Sequence, residues 1–248
     1  MRVLILVAII VSNTFIVISQ NTADLEINFK KEISNNLHGT FIDSINAIKW
    51  LPYSKEVVVT SEDGYAYTTI DSVISYTANN DFYKLVVLRT NEIYEGFIFE
   101  CGGCAPTLGL ALYKLVEGKY VLTSFDRSVK QMGQGGRLPE YSIVSLSAIS
   151  KGFLISESNF QDSDAYTFLF SLYESDISNL LFEYPNFRMI DRELRKYKTS
   201  TLSFVNQKKE TEDFYTIKLE VTTFLSDKKI SSESILYSFS GRKWEPIK

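Results

Sequence analysis

The stretch Ile143-Val-Ser-Leu-Ser-Ala-Ile-Ser-Lys-Gly-Phe-Leu-Ile-Ser-Glu157 places two short apolar runs on either side of a polar turn. Short runs rich in β-branched and aromatic residues, bounded by Gly and Ser, predict paired strands. Within it, Ile149-Ser-Lys-Gly152-Phe153 is similar to Ile93-Tyr-Glu-Gly96-Phe97, which lies 56 residues earlier. The similarity indicates a structural unit that occurs more than once.

Working outward from this stretch, the same arrangement of strands and turns recurs three times. We predict four-strand meander units at about residues 83–125, 142–184 and 200–247, although a sequence rich in strand-forming residues can also imitate a repeat. The predicted class is all-β, mainly antiparallel meanders, within one β-rich domain at residues 20–248. Because a closed propeller needs at least four blades, the alternatives are a sandwich, a barrel or an incomplete propeller-like array.

Three local elements are predicted outside the regular units. A short N-terminal helix is predicted over residues 24–37, where Ile27, Ile33 and Leu37 have helical spacing. A hairpin is predicted for residues 57–70, because Asp63-Gly64 separates two strand-like runs; helix and hairpin together occupy residues 20–80. A short connector helix is predicted over residues 186–198, whose proposed apolar face consists of Phe187, Ile190, Leu194 and Tyr197.

The N-terminus has the features of a cleavable signal peptide at residues 1–19. A basic head, Met1-Arg2, precedes an apolar run, and Val17 and Ser19 are small enough for a cleavage site before Gln20. The alternative is an uncleaved membrane anchor, but the run is short and interrupted by polar residues. We therefore expect a secreted protein, in the periplasm or outside the cell, that meets a membrane only through this segment if it is uncleaved.

The net charge is weakly negative, −4 for the whole chain. Removal of residues 1–19, which contain one Arg and no acidic residue, leaves −5. An acidic protein repels phosphate backbones, so we expect no nucleic-acid partner.

Cys101-Gly-Gly-Cys104-Ala-Pro106 contains the chain's two cysteines and allows three interpretations. An exported protein meets an oxidising compartment, which favours a local disulfide between Cys101 and Cys104. A thioredoxin-like redox pair requires a helix directly after the cysteines, and Leu108–Leu115 fits a helix or a strand. A zinc site requires four ligands, and His38 is the only histidine.

The segment Cys101-Gly-Gly-Cys-Ala-Pro-Thr-Leu-Gly109, together with Gly133, Gly136 and Pro139, resembles a group of uncharacterised exported bacterial β-rich proteins. Those proteins have a Cys-x-x-Cys-Ala-Pro-x-x-Gly element followed by an aromatic-rich hairpin and a Gly-x-x-Gly-x-x-Pro loop. The resemblance covers about residues 83–173. It implies export and β-structure, and it implies no reaction; the histidine often found after the first cysteine is Gly102 here.

The other motifs that could indicate catalysis or the binding of phosphate or calcium are weak. Gly133-Gln-Gly-Gly136 lacks the Lys-Ser/Thr of a phosphate-binding loop and predicts a surface turn. Asp162-Ser-Asp164 starts like a calcium loop without its later ligands. A Ser-His-Asp triad would depend on His38 alone. We therefore expect no catalytic residue, metal or cofactor. The favoured function is an exported binding module for a protein or polymer partner. The alternative is an exported protein that carries out thiol–disulfide exchange with Cys101 and Cys104.

Overall fold

The computed structural model describes residues 29–53, 58–99, 104–158, 164–205 and 214–247 of the 248-residue chain. In these ranges residues 29–37 form helix α1, and a 3₁₀ turn lies at Asp43–Ile45. The predicted signal peptide and the first residues of the predicted helix lie outside them. The strands are β1 (Thr40–Ile42), β2 (Ala47–Trp50), β3 (Ala66–Ala78), β4 (Asp81–Asn91), β5 (Ile93–Tyr94), β6 (Phe97–Ile98), β7 (Thr107–Val116), β8 (Lys119–Gln131), β9 (Glu140–Ser145), β10 (Lys151–Ser156), β11 (Ala165–Ser171), β12 (Leu180–Asp191), β13 (Lys196–Val205), β14 (Thr216–Leu225), β15 (Lys228–Phe239) and β16 (Trp244–Pro246).

The strands form two large antiparallel sheets, which confirms the all-β class. The first sheet has the order β1-β2-β3-β4-β7-β8, and the second runs from β9 to β16 in chain order. Short turns with two residues of positive φ join several neighbours, for example Asn79-Asn80 and Ser226-Asp227. Such turns match the twist of antiparallel strands, so the meander topology follows from local sequence.

The first sheet is buried on both faces. On one face, Phe29, Ile33 and Leu37 of α1 pack against a cluster that includes Val86 and Leu88. On the other face, alternate residues of the same strands contact the second sheet, and this core contains Leu85, Val87, Leu108, Leu110, Leu112, Phe153, Ile155, Phe168 and Phe170. The unbroken apolar runs of β4 and β7 are therefore explained by a helix–sheet–sheet arrangement.

The second sheet curls so that its other face encloses a core of its own, which includes Leu169, Leu181, Ile217 and Leu219. The N–H of Tyr215, just before β14, donates to the carbonyl of Leu146, just after β9, at 2.7 Å. These strands are five positions apart in the sheet order. The predicted second and third units therefore belong to one continuous, rolled sheet.

The predicted connector helix at residues 186–198 is wrong. These residues form the end of β12, a turn and the start of β13. The carboxylate of Asp191 accepts a hydrogen bond from the N–H of Leu194 at 3.0 Å, and Arg195 has a φ of +48°. The ring of Phe187 stacks on Tyr197 across the hairpin, at 5.5 Å between centroids. The spacing that fits one helical face also fits two strands joined by a tight turn.

The predicted hairpin at residues 57–70 is also wrong in its first strand. Val57 lies outside the described residues, and residues 58–60 are not part of a strand. The N–H of Val59 instead donates to Thr107 Oγ1 at 3.1 Å. The strand that follows, β3, pairs with β2 only at residues 66–68 and with β4 along almost its whole length.

Candidate functional site

The topology brings three loop segments to one end of the first sheet. Trp50 at the end of β2 pairs with Ala66 at the start of β3, and Thr107 at the start of β7 pairs with both Thr90 and Gln131. The described parts of segments 51–65, 92–106 and 132–139 therefore lie together. We call this the loop end; the Asn79-Asn80 turn lies at the opposite end of the same sheet.

The loop end carries a small exposed hairpin, β5–β6, whose turn is Glu95-Gly96. Both turn residues have positive φ, +50° and +83°. The exposed fraction of the residue is 47% for Tyr94, 77% for Phe97 and 38% for Phe99. The rings of Tyr94 and Phe99 contact each other at 5.8 Å, with an angle of 51° between their planes. We call residues 93–99 the aromatic hairpin.

Hydrogen bonds join the base of the aromatic hairpin to the neighbouring segment 61–65 and close the hairpin on itself. The N–H of Ile93 donates to the hydroxyl of the buried Ser61 at 2.7 Å, and the N–H of Phe99 donates to the carbonyl of Glu92 at 2.9 Å. The N–H of Ser61 in turn donates to the carbonyl of Tyr65 at 2.8 Å. The aromatic side chains are therefore held outward by an anchored backbone.

The neighbouring turn at residues 61–64 is stabilised by an ion pair. Lys49 Nζ lies 2.8 Å from Asp63 Oδ2, and the hydroxyl of Tyr67 donates to the same oxygen at 2.8 Å. The hydrogen bond from Lys49 lowers the pKa of the Asp63 carboxyl, and that contact raises the pKa of Lys49. Lys49 also lies 4.0 Å from the centre of the Tyr65 ring. The charges of Lys49 and Asp63 are thus paired with each other.

The described part of the cysteine segment is bound to the loop that follows β8. The carbonyls of Cys104 and Pro106 accept hydrogen bonds from the N–H groups of Gly136 and Met132, each at 3.0 Å. Ala105 O accepts from Gln131 Nε2 at 3.0 Å. The structure therefore brings together the Cys-Ala-Pro and Gly-x-x-Gly-x-x-Pro parts of the sequence pattern. Cys101 lies outside the described residues, so its pairing with Cys104 stays a prediction.

The residues after Cys104 form strand β7, and the redox alternative lacks the helix that it requires. The described segment after Cys104 therefore offers no helix N-terminus that could stabilise a thiolate. Gly109 within β7 allows a bulge of β8 to approach: a Cβ at this position would lie 3.2 Å from the carbonyl oxygens of Asp126 and Arg127.

The other sequence candidates have structural positions. His38 has a φ of +51° and ends α1, since its N–H donates to Asn35 O at 3.1 Å. Asp162 lies outside the described residues, and Asp164 Oδ1 accepts from the N–H of Met189 at 3.1 Å. Gly133 belongs to a tight turn in which a Cβ would meet the Arg137 carbonyl oxygen. Over the described ranges, no group of three or more His, Cys, Asp or Glu side chains could hold a metal ion.

A polar cluster between the sheets was not predicted. Asp71 occupies a bulge in β3, where its carboxylate accepts a hydrogen bond from the hydroxyl of Tyr141 on β9 and lies 3.5 Å from Arg89 Nε. Arg89 Nη1 also donates to Gly136 O at 3.1 Å. Burial and the contact with Asp71 raise the pKa of Tyr141 to about 12. The cluster links the loop after β8 to the joint between the sheets.

Comparisons of the chain with protein-family models, with curated proteins and with solved structures gave no match. In the part of the chain that the structure describes, no helix is long and apolar enough to cross a membrane.

The sequence analysis interpreted Ile93-Tyr-Glu-Gly-Phe97 only as part of a repeat. The Glu-Gly pair between aromatic residues was the signal for a separate two-residue hairpin.

Proposed function

We propose that this chain is an exported, non-enzymatic binding module that holds a protein partner through the aromatic hairpin. The observation that carries the proposal is the exposure of Tyr94, Phe97 and Phe99 on one seven-residue segment. Single exposed apolar residues are ordinary on protein surfaces, but a cluster of aromatic side chains on an ordered loop is typical of an interaction site.

The rigid base of the hairpin supports this function. Ile93 and Ser61 hold the backbone in place before a partner arrives, so less conformational entropy is lost on binding. Aromatic side chains bring a large contact area with few rotatable bonds, and they dominate the energetic centres of protein interfaces. In this proposal the Cys101–Cys104 disulfide restrains the chain on the other side of the hairpin.

The chemistry of the hairpin favours a protein over a polysaccharide. The Tyr94 and Phe99 rings are inclined at 51°, so they do not form the single flat platform on which a sugar chain would stack. Glu92 and Glu95 lie beside the aromatic residues. An acidic border of this kind complements a partner with an apolar pocket and basic residues around it.

The experiment is a selection from a random-peptide display library on the immobilised mature protein, followed by binding assays with two variants. Phe97→Ala removes the most exposed aromatic side chain of the hairpin. Phe82→Ala is the matched control, because Phe82 is 56% exposed at the opposite end of the same sheet. We expect the enriched peptides to contain aromatic and basic residues and to lose binding only to Phe97→Ala.

Two results would overturn the proposal. Enriched peptides that bind wild type and Phe97→Ala equally would place the binding surface elsewhere. Ligands found only on a parallel array of glycans, with no peptide enriched, would replace the protein partner with a polysaccharide.

A further inference from the structure

A groove of about 570 Å³ lies between helix α1 and strand β1, at the edge of the first sheet and apart from the aromatic hairpin. Its lining residues come from one stripe of the helix and from the chain that leads into and out of the strand: Lys30, Lys31, Ser34, Asn35, Gly39, Thr40, Phe41 and Asp43. The volume is within the range of sites that bind drug-sized ligands or short peptide segments.

The sequence between helix and strand fixes this geometry. The N–H of Gly39 donates to Ser34 O at 2.8 Å, and together with the bond from His38 to Asn35 this closes the helix with a left-handed residue. A Cβ at Gly39 would lie 2.7 Å from Ile48 Cγ2 and 2.8 Å from Lys49 O. Glycine thus lets the chain turn tightly against β2, so that β1 runs back beside α1.

Strand β1 is the outermost strand on its side of the first sheet, within the described residues. In an antiparallel ladder, alternate residues direct their N–H and C=O groups toward the partner strand and away from it. The outer edge of β1 therefore offers backbone hydrogen bonds to an added strand. An extended peptide that lies between a sheet edge and a helix is an established mode of recognition.

The groove also carries charge. Lys30 and Lys31 lie at its helix side, opposed by one carboxylate, Asp43. Lys30 Nζ donates to Asn46 Oδ1 at 3.1 Å and lies 5.3 Å from the ring centre of Phe41.

We propose that this groove binds an extended acidic peptide segment of another protein by adding it as a strand to the edge of β1. Backbone pairing with β1 provides the affinity, and carboxylates of the peptide pair with Lys30 and Lys31. The nine described residues of α1 span about 14 Å, which equals about four residues of extended chain. The site is independent of the aromatic hairpin and extends the function proposed above.

The test uses the full mature protein and a fluorescent peptide of about eight alternating Glu and Val residues, with a Lys–Val peptide of equal length for comparison. We expect the acidic peptide to bind at least about tenfold more tightly than the basic one, because it has the complementary charge. Lys31→Glu should abolish this preference. Lys228→Glu, an exposed lysine at the β14–β15 turn, is the matched control and should leave binding unchanged.

Strand addition is separated from simple charge attraction by hydrogen exchange and by the peptide backbone. The amides of residues 40–42 should exchange more slowly in the complex. Methylation of alternate peptide nitrogens should abolish binding in one register and not in the other. The proposal is overturned if the acidic peptide binds without protecting these amides. It is also overturned if no peptide binds because the amides are already protected, by the chain's own N-terminal segment or by a second copy.

Discussion

The hydroxyl of Tyr83 on β4 donates a hydrogen bond of 2.7 Å to the carboxylate of Glu174, in the turn after β11. This contact joins the two sheets across 91 residues of sequence. Lys114 on β7 completes the group, with its Nζ 2.9 Å from Glu174 and 2.8 Å from Asp81. The joint between the sheets therefore has a polar margin next to its apolar core.

We predict that Glu174→Gln lowers the free energy of unfolding at neutral pH by about 1 kcal/mol, since it weakens charge-assisted hydrogen bonds at a partly exposed site. The hydrogen bond from Tyr83, followed by that from Lys114, lowers the pKa of Glu174 in the folded state. A lowered pKa stabilises the fold above the pKa of the unfolded chain, and this stabilisation is lost as pH falls through the folded-state value.

The difference between wild type and Glu174→Gln should therefore shrink between about pH 7 and pH 3. Urea denaturation at both pH values measures it. Glu193→Gln, at the exposed β12–β13 turn, should change stability by less than about 0.5 kcal/mol at either pH. A Glu174→Gln effect that is equal at both pH values would contradict the assigned role of the carboxylate.

A pair of substitutions tests the turn that ends α1. Gly39→Ala should destabilise the protein by about 1–3 kcal/mol, because the new methyl group overlaps Ile48 and the backbone of Lys49. His38→Gly should be neutral or stabilising by up to about 1 kcal/mol, since His38 has a positive φ. The unfolded-state freedom of glycine offsets part of that gain. If His38→Gly were the more damaging of the two, His38 would have a role beyond the helix end.

The cysteines provide a third prediction. If Cys101 and Cys104 form a disulfide, the protein isolated under oxidising conditions should resist alkylation until it is reduced. Replacement of both by Ser should lower stability by about 2 kcal/mol or less, because the closed loop is short. A reduced Cys101 or Cys104 that reacts with iodoacetamide well below its ordinary pKa would instead favour the redox alternative.

Much of the fold was predictable because the strands carry local signals. The paired strands predicted on either side of the polar turn in residues 143–157 are found as β9 and β10, which pair with each other. The predicted helix at residues 186–198 was wrong because residue spacing alone does not distinguish one helical face from two strands around a turn. The turn signal was Asp191, whose side chain bonds the backbone of Leu194.

The candidate sites were less predictable because they depend on contacts between distant residues. Ser61 anchors Ile93 across 32 positions, and Tyr141 reaches Asp71 across 70. The groove beside α1 depends on the close approach of Gly39 to β2. A single sequence contains the residues of these contacts, but the pairing of strands decides which of them meet.

The central claim, that the aromatic hairpin is the binding surface, is tested most directly by the dissociation constant of one selected peptide ligand for three proteins. We predict that Phe97→Ala raises the dissociation constant at least about tenfold over wild type, which equals about 1.4 kcal/mol, while Phe82→Ala leaves it within about twofold. Equal dissociation constants for wild type and Phe97→Ala, with both proteins folded, would contradict the claim.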